Sequence, residues 1–394
     1  MSDPRSLPCW DLICRVVDHY GDAGVSLRLA RSLASDAGRE VRLIADQPQV
    51  VLDLIQPPPP GDAVNGWRDR SGVLICGWEV APRRIDVVLE TFGGHLPPAL
   101  LAALRADHDA GLATPVWINL EHLSAEAWVA GCHGLPSPQS GGLTRWFLFP
   151  GFTADTAGLP GPQTPPPALP AALAALIADT AHTAGDGART VTGSVFCYRE
   201  SPLPALLEAM QHGPRAVRLL IPTGMPGRLG GRALGDQPGS VWQGDRLTLL
   251  RIPFVDQGLY DGVLAACDFN LVRGEDSFVR AQWAARPLLW AAYPQDKEAH
   301  LDKLSAWLDQ CAMPPAWASL HGWLNGGLDS NSHPPTTIWH DALAQLDAAR
   351  LWASDWRERL LTLPRVEQSL ATFALRHASP LESRVLFSHP GTQL

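Results

Sequence analysis

Lysine is almost missing from this chain: of 31 basic residues only Lys297 and Lys303 are lysine, and the others are arginine. Neither follows a glycine, so there is no Gly-Lys-Ser/Thr phosphate loop of the ATPase kind. Schiff-base chemistry would have to use one of these two, and neither sits in a supporting motif. Long apolar runs are missing too. No stretch approaches the roughly 18 residues that span a bilayer. The start, Met1-Ser-Asp-Pro-Arg-Ser-Leu-Pro8, has no apolar signal core, so a cytoplasmic protein without membrane partners is expected. The seven cysteines (9, 14, 76, 132, 197, 267 and 311) never fall in a Cys-x-x-Cys pair, which fits reduced thiols and leaves no zinc knuckle. His122 and His133 lie eleven apart without ligand spacing, so no metal is expected. A net charge of −9 argues against direct nucleic-acid binding.

What is present suits a soluble α/β protein. A chain of 394 residues exceeds one comfortable core and predicts about two domains. Trp10–Val17 reads as a first strand, followed by a helix with apolar spacing at Val25, Leu29 and Leu33. Further strands are expected at Val41–Ala45, Val73–Cys76, Asp86–Glu90 and Pro115–Asn119, with a helix over Pro97–Arg105. From Glu121 to Phe152 the chain reads as loop-rich, with Ser124 able to cap a short helix. Six prolines between Leu159 and Pro170 read as a linker or exposed loop. A possible helix, Ala171–Thr180, follows, and the alternation then restarts. Strands are expected at Thr190–Tyr198, Val217–Ile221, Leu247–Ile252, Phe269–Val272 and Pro287–Ala292. Helices are expected over Leu203–Gln211, from Asp256 or Gln257 to Ala266, and over Asp296–Asp309. Ala342–Arg376 reads as helical packing material, and Ser379 onward as a frayed tail. Two α/β halves predict a cleft, with ligands outside the carboxyl ends of parallel strands.

Two stretches carry chemistry. The first strand runs into Asp18-His-Tyr-Gly21-Asp22-Ala-Gly24, which places two carboxylates at a strand end. Either can serve as a general base; equally, Asp22 can cap the next helix and Asp18 can brace the turn. The order is not Gly-x-Gly-x-x-Gly, so hydride transfer on a dinucleotide is disfavoured. In the second half Asn270-Leu-Val-Arg273-Gly274-Glu275-Asp276-Ser277 is a strand, a glycine turn and a helix start. Backbone N–H groups and the helix dipole favour phosphate there, and Arg273 adds a planar donor fork. The plainer reading is that Asp276 or Ser277 caps the helix. Phe196, Tyr198 and Phe254 stand at strand or loop ends, able to stack a nucleobase or simply to fill core. Tyr293 and Gln295 lie in a turn after a buried strand.

These segments together resemble the bacterial protein-arginine rhamnosyltransferases that modify elongation factor P (the EarP family). The likeness rests on Cys14-Arg-Val-Val-Asp-His-Tyr-Gly-Asp-Ala-Gly-Val25 and Trp117-Ile-Asn-Leu-Glu-His-Leu-Ser-Ala-Glu126. It continues through His133-Gly-Leu-Pro-Ser-Pro138, Phe149-Pro-Gly-Phe-Thr153, Phe196-Cys-Tyr198 and Pro253-Phe-Val255 with Gln257. It ends with Val272-Arg-Gly-Glu-Asp-Ser277 and Tyr293-Pro-Gln295 through His300. The resemblance implies a GT-B glycosyltransferase of two Rossmann-like domains facing a central cleft. It implies inverting transfer of L-rhamnose from dTDP-β-L-rhamnose to an arginine of elongation factor P, with no cofactor besides that donor. Catalytic roles then fall on Asp22 as base, on Asp18 as a required carboxylate, and on Glu275. Donor contacts fall on Phe196, Tyr198, Phe254, Gln257, Arg273, Asp276, Ser277 and Tyr293. The expected division is an acceptor-binding domain over 1–158, a Pro-rich linker over 159–182, a nucleotide-sugar domain over 183–365, and a C-terminal helix and tail over 366–394. The chain departs from the family at Pro160-Gly-Pro-Gln163, where an Arg-Glu type segment is usual, and at Ala45-Asp46, where two acids are. Other GT-B nucleotide-sugar enzymes, such as an epimerase or small-acceptor transferase, and a non-catalytic nucleotide-sugar-binding protein are the alternatives.

Overall fold

The computed structural model describes residues 8–35, 39–162, 165–178, 189–294, 299–328 and 334–378. The chain divides into two compact units, Met1–Gly161 with Leu363–Leu394, and Pro162–Thr362.

In the first unit the elements run β1 (Cys9–Cys14), α1 (His19–Ser35), β2 (Glu40–Ala45), α2 (Pro48–Asp53), β3 (Gly61–Asp62), β4 (Gly66–Arg68), β5 (Leu74–Gly77), β6 (Val87–Thr91), α3 (Pro98–Asp109), β7 (Val116–Leu120), α4 (Val129–Cys132), β8 (Leu135–Pro138) and β9 (Thr144–Leu148). They form one sheet in the order β3-β4-β5-β2-β1-β6-β7-β9-β8. Its middle, from β5 to β9, is parallel, and antiparallel pairs close both edges. The central strands are covered on both faces, and every residue of β6 and β7 is buried; both are apolar apart from Glu90, Thr91 and Asn119 toward their carboxyl ends. Ile13, Ile44, Val88 and Trp117 pack with Leu100 and Leu104 of α3.

The segment expected to be loop contains the hairpin β8–β9. Its signal was masked by Pro136 and Pro138, which are tolerated because β8 is the outermost strand and needs no partner on its far side. Gly141 and Gly142 turn the hairpin at φ +79° and +74°.

In the second unit α5 (Ala171–Ala178), β10 (Val191–Val195), α6 (Leu203–Gln211), β11 (Val217–Pro222), β12 (Arg228–Leu229), β13 (Arg232–Ala233), β14 (Val241–Gln243), β15 (Leu247–Ile252), α7 (Gln257–Ala266), β16 (Phe269–Arg273), α8 (Gly274–Trp283) and β17 (Leu288–Ala291) are followed by α9 (Ala299–Cys311), α10 (Pro315–Leu324), α11 (Pro335–Ala344) and α12 (Leu346–Leu361). The sheet order is β14-β15-β11-β10-β16-β17, parallel from β15 to β17 with β14 antiparallel at the edge. Gly193 sits mid-strand because the Phe269 ring occupies its face: a Cβ there would lie 2.3 Å from Phe269 Cζ.

The last helix, α13 (Val366–His377), belongs to the first unit. Val366 N–H donates to Leu159 O at 3.0 Å and Ser369 Oγ donates to Ala157 O at 2.9 Å. Gly158, at φ +76°, lets the Pro364 carbonyl come within 1.8 Å of where a Cβ would stand. Phe373 and His377 then close on Trp146 of β9.

Candidate active site

Regular pairing of β1 ends at Cys14, and the chain turns through Val17–Asp18 into α1. The helix opens at His19, ahead of Asp22, and carries Asp22 in its first turn. Asp22 is therefore not the N-cap. Its buried carboxylate reaches back, and Oδ2 accepts from Val17 N–H and Asp18 N–H at 2.8 Å each. The Asp18 carbonyl accepts from Gly21 N–H and Asp22 N–H. Asp18's carboxylate lies over Gly21, where a Cβ would come 2.3 Å from Oδ2. Beneath the turn, Thr91 Oγ1 donates to Ile13 O at 3.1 Å and bonds Ser26 Oγ at 2.9 Å, tying α1 to β1 and β6. Burial pushes the Cys14 thiol up to about 12, with the Asp22 and Asp46 carboxylates acting in the same direction, so it is no nucleophile at neutral pH.

The neighbouring strand ends are also polar. After β6, Phe92 stacks on His122 with centroids 4.3 Å apart. Near the end of β7, Asn119 Oδ1 accepts from Gly93 N–H at 2.9 Å, and its amide donates to Glu121 Oε1 at 2.6 Å. Ser124 caps no helix; its Oγ accepts Glu126 N–H at 3.0 Å, while α4 starts after Trp128. His133 Nδ1 accepts Phe149 N–H at 3.1 Å, and burial lowers its pKa, which favours the neutral ring.

In the second unit all the candidate residues follow the carboxyl ends of parallel strands. Phe196 and Tyr198 follow β10, Phe254 and Gln257 follow β15, Arg273–Ser277 follow or end β16, and Tyr293 follows β17. Arg273 is the N-cap residue of α8, and its own side chain makes no capping hydrogen bond. The helix begins at Gly274, ahead of both residues expected to cap it. Gly274 reaches this corner at φ +62°, a left-handed conformation that suits glycine. Neither Asp276 nor Ser277 is the cap: both lie within the first turn, and Ser277 Oγ donates back to Arg273 O. Trp290 Nε1 holds Gly274 O at 3.1 Å from below.

The Arg273 guanidinium lies over the Phe196 ring at 4.6 Å and the Tyr198 ring at 4.7 Å. Tyr198 in turn meets Tyr293 edge-on at 5.5 Å. Gln257 Nε2 donates to Asp276 Oδ2 at 3.1 Å, joining the starts of α7 and α8. Asp256 caps α7 through Gly258 N–H at 2.8 Å. Phe254 is fixed by its backbone, whose N–H donates to Thr223 Oγ1 at 2.8 Å. Thr223 was not visible as a site residue in the sequence, since it lies 31 positions before the residue it holds. Gln295 and Lys297 fall outside the described residues. Among the described residues no group of three or more His, Cys, Asp or Glu side chains is placed to hold a metal ion, and no helix is long and apolar enough to cross a membrane.

Two Rossmann-like units, with an arginine and a helix start at a strand end in the second and paired carboxylates at a strand end in the first, define a glycosyltransferase of the GT-B class. The solved spinosyn rhamnosyltransferase SpnG shares this fold, with a TM-score of 0.50, 14% identity and coverage of 93% of this chain and 99% of that one. The family model described as elongation-factor P (EF-P) rhamnosyltransferase EarP matches residues 10–375, and the chain belongs to that family. The protein-arginine rhamnosyltransferase of Pseudomonas putida is 42% identical over 312 residues, covering 76% of this chain and 80% of that protein. That of Neisseria meningitidis serogroup B is 31% identical over 388 residues, covering 94% and 97%. A structure solved for EarP-mediated arginine glycosylation of translation elongation factor EF-P has a TM-score of 0.55 at 26% identity, over 93% of this chain and 99% of that one.

Proposed function

We propose that the protein is a cytoplasmic inverting transferase that moves L-rhamnose from dTDP-β-L-rhamnose to one arginine side chain of elongation factor P. The observation that carries this reading is the pairing of family membership with a buried, backbone-oriented Asp22 carboxylate at the end of β1. Its division into an acceptor-binding domain ahead of the Pro-rich segment and a nucleotide-sugar domain after it follows the same reading.

A guanidinium is protonated at any ordinary pH and is a poor nucleophile. One of its N–H groups must be aimed and its proton accepted as the bond forms. In the proposed step a guanidinium nitrogen attacks C1 of the rhamnosyl group and the C1–O bond to the diphosphate breaks. The attacking nitrogen's proton passes to Asp22, and the product guanidinium keeps its positive charge. Inversion requires base and leaving group on opposite faces of the sugar. Asp18 and Glu275 are assigned as further carboxylates of the catalytic set.

The departing dTDP gains negative charge. Arg273 and the start of α8, Glu275 to Ser277, are the groups assigned to meet it, through a guanidinium fork and a helix N-terminus. Because Arg273 already covers Phe196 and Tyr198, these rings serve to hold that arginine, and Phe254 is the ring assigned to the thymine face. Gln257 holds Asp276, and Tyr293 closes on Tyr198.

The test is intact-mass analysis of elongation factor P incubated with the enzyme and dTDP-L-rhamnose. One added deoxyhexose, lost with Asp22→Asn while dTDP binding persists, is the expected result. Donor binding without a mass shift would reassign the acceptor. Absence of donor binding would remove the nucleotide role of Arg273–Ser277.

A further inference from the structure

The turn that carries Asp18 and Asp22 is held by side chains from the neighbouring strand. Backbone pairing of β1 with β2 ends at Cys14 and Ala45, and Asp46 N–H adds a last bond to Cys14 O at 3.3 Å. Beyond it Asp46 Oδ1 accepts from Val16 N–H at 2.9 Å, and Gln47 Nε2 donates to Val16 O at 3.2 Å. Both polar backbone groups of Val16 are thus gripped as a paired strand would grip them, although no strand continues there. The next two amides, of Val17 and Asp18, go to Asp22 Oδ2. Three successive N–H groups are therefore shared between two carboxylates, one from the end of β2 and one from the first turn of α1.

The Val17 side chain contributes little packing to this turn, and burial of the Val16 side chain adds to the grip on its backbone. Val17 is 74% exposed, and of the two valines only Val16 is buried. The position of the Val17 and Asp18 amides consequently follows from where Val16 is held, and those amides set the aim of Asp22 Oδ2. A general base displaced by about 1 Å loses on the order of 100-fold in rate, so such a grip bears directly on turnover.

We propose that Asp46 and Gln47 are positioning residues for Asp22, acting through the backbone of Val16. The inference rests on the reading of Asp22 as the base. It also gives a role to Asp46, the single acid at the end of β2.

Steady-state kinetics with full-length enzyme, dTDP-L-rhamnose and elongation factor P test it. Asp46→Ala is expected to lower kcat about 10- to 100-fold with the KM for dTDP-L-rhamnose unchanged. Asp46→Asn, whose side-chain oxygen still accepts from Val16 N–H, should recover most of that loss. Gln47→Leu, which releases only the carbonyl side, should give a smaller loss of about 3- to 10-fold, again in kcat alone. It carries the test if Asp46→Ala fails to fold. Placed on Asp22→Asn, Asp46→Ala should add little further loss of residual turnover, because both changes act on one group.

The proposal is overturned if Asp46→Ala, or Gln47→Leu in its place, leaves kcat within about twofold of the parent. It is equally overturned if Asp46→Asn is as damaging as Asp46→Ala, or if the losses multiply on Asp22→Asn. Full turnover by Asp22→Asn alone is a different failure: it removes Asp22 as the base, whatever Asp46 does.

Discussion

A methyl group on Gly21 would stand 2.3 Å from Asp18 Oδ2, so the glycine leaves the room that the Asp18 carboxylate occupies at the foot of α1. Gly21→Ala is expected to push the Asp18 carboxylate aside and lower kcat about tenfold or more, while the helix gains a better helix former. Circular dichroism and turnover measured together separate the two effects. Arg273 presents a second single-residue case. Lysine in its place keeps the charge but loses the fork and the stacking on Phe196 and Tyr198, and cation–π contacts of this kind contribute about 0.5–2 kcal/mol. Arg273→Lys should weaken dTDP binding about tenfold, the equivalent of about 1.4 kcal/mol, as titration calorimetry would show; unchanged affinity would count against the phosphate role. The residue types at these positions were legible in the sequence. What each side chain touches was not. Asp22 read equally as a base or a cap; the helix start at His19 excludes the cap, and the bonds from Val17 and Asp18 show what its carboxylate holds instead.

At the scale of elements, the second unit shows why strand ends carry the candidate groups. A strand running into a helix leaves the helix N–H groups at its start without intrahelical partners, and the N-cap residue of α8, Arg273, gives them no side-chain bond. Gly274 read as a turn ahead of the helix, and its positive φ makes it both corner and first helical residue. The loop holding Phe254 is set from farther away. Arg251, fully buried, donates to Pro222 O at 3.0 Å and Met225 O at 3.1 Å, and Thr223 between them accepts Phe254 N–H. Thr223→Val keeps the shape and removes the acceptor, which leaves a partly buried amide unmet at a cost of about 1–3 kcal/mol. The KM for dTDP-L-rhamnose should rise several-fold, with the KM for elongation factor P unchanged and Thr223→Ser restoring the parent value; a loss in kcat alone would contradict this account. β8, β9 and α13 mark the limit of pattern reading. Prolines hid the hairpin, and the return of the chain to the first unit at Leu363 depends on the close approach of Pro364 to Gly158.

At the scale of the whole molecule, one aromatic cluster of the second unit buries a histidine that couples stability to pH. Phe278 stacks on Trp290 at 4.0 Å and meets Trp307 edge-on, and Trp307 packs against the fully buried His321. Burial lowers the His321 pKa from 6.5 to about 4. The unfolded chain therefore binds a proton that the folded chain refuses between these values. The stabilisation is complete above about pH 6.5 and is lost as pH falls toward 4, amounting to about 3 kcal/mol at 1.36 kcal/mol per unit. Urea midpoints should fall between pH 7 and pH 5 in the parent and fall less in His321→Phe; parallel slopes would show that other groups govern acid sensitivity. By itself the sequence determined the alternation of strands and helices, the duplication into two α/β halves and the residue types at the strand ends. Apolar periodicity, glycine corners and charge spacing act over a few neighbouring residues, and so they are written locally. Only the tertiary structure decided which carboxylate grips which amide, that Arg273 lies on Phe196 and Tyr198, and that the last helix completes the first unit. Those outcomes depend on contacts between residues far apart in the chain, which become neighbours only when the sheets and helices pack.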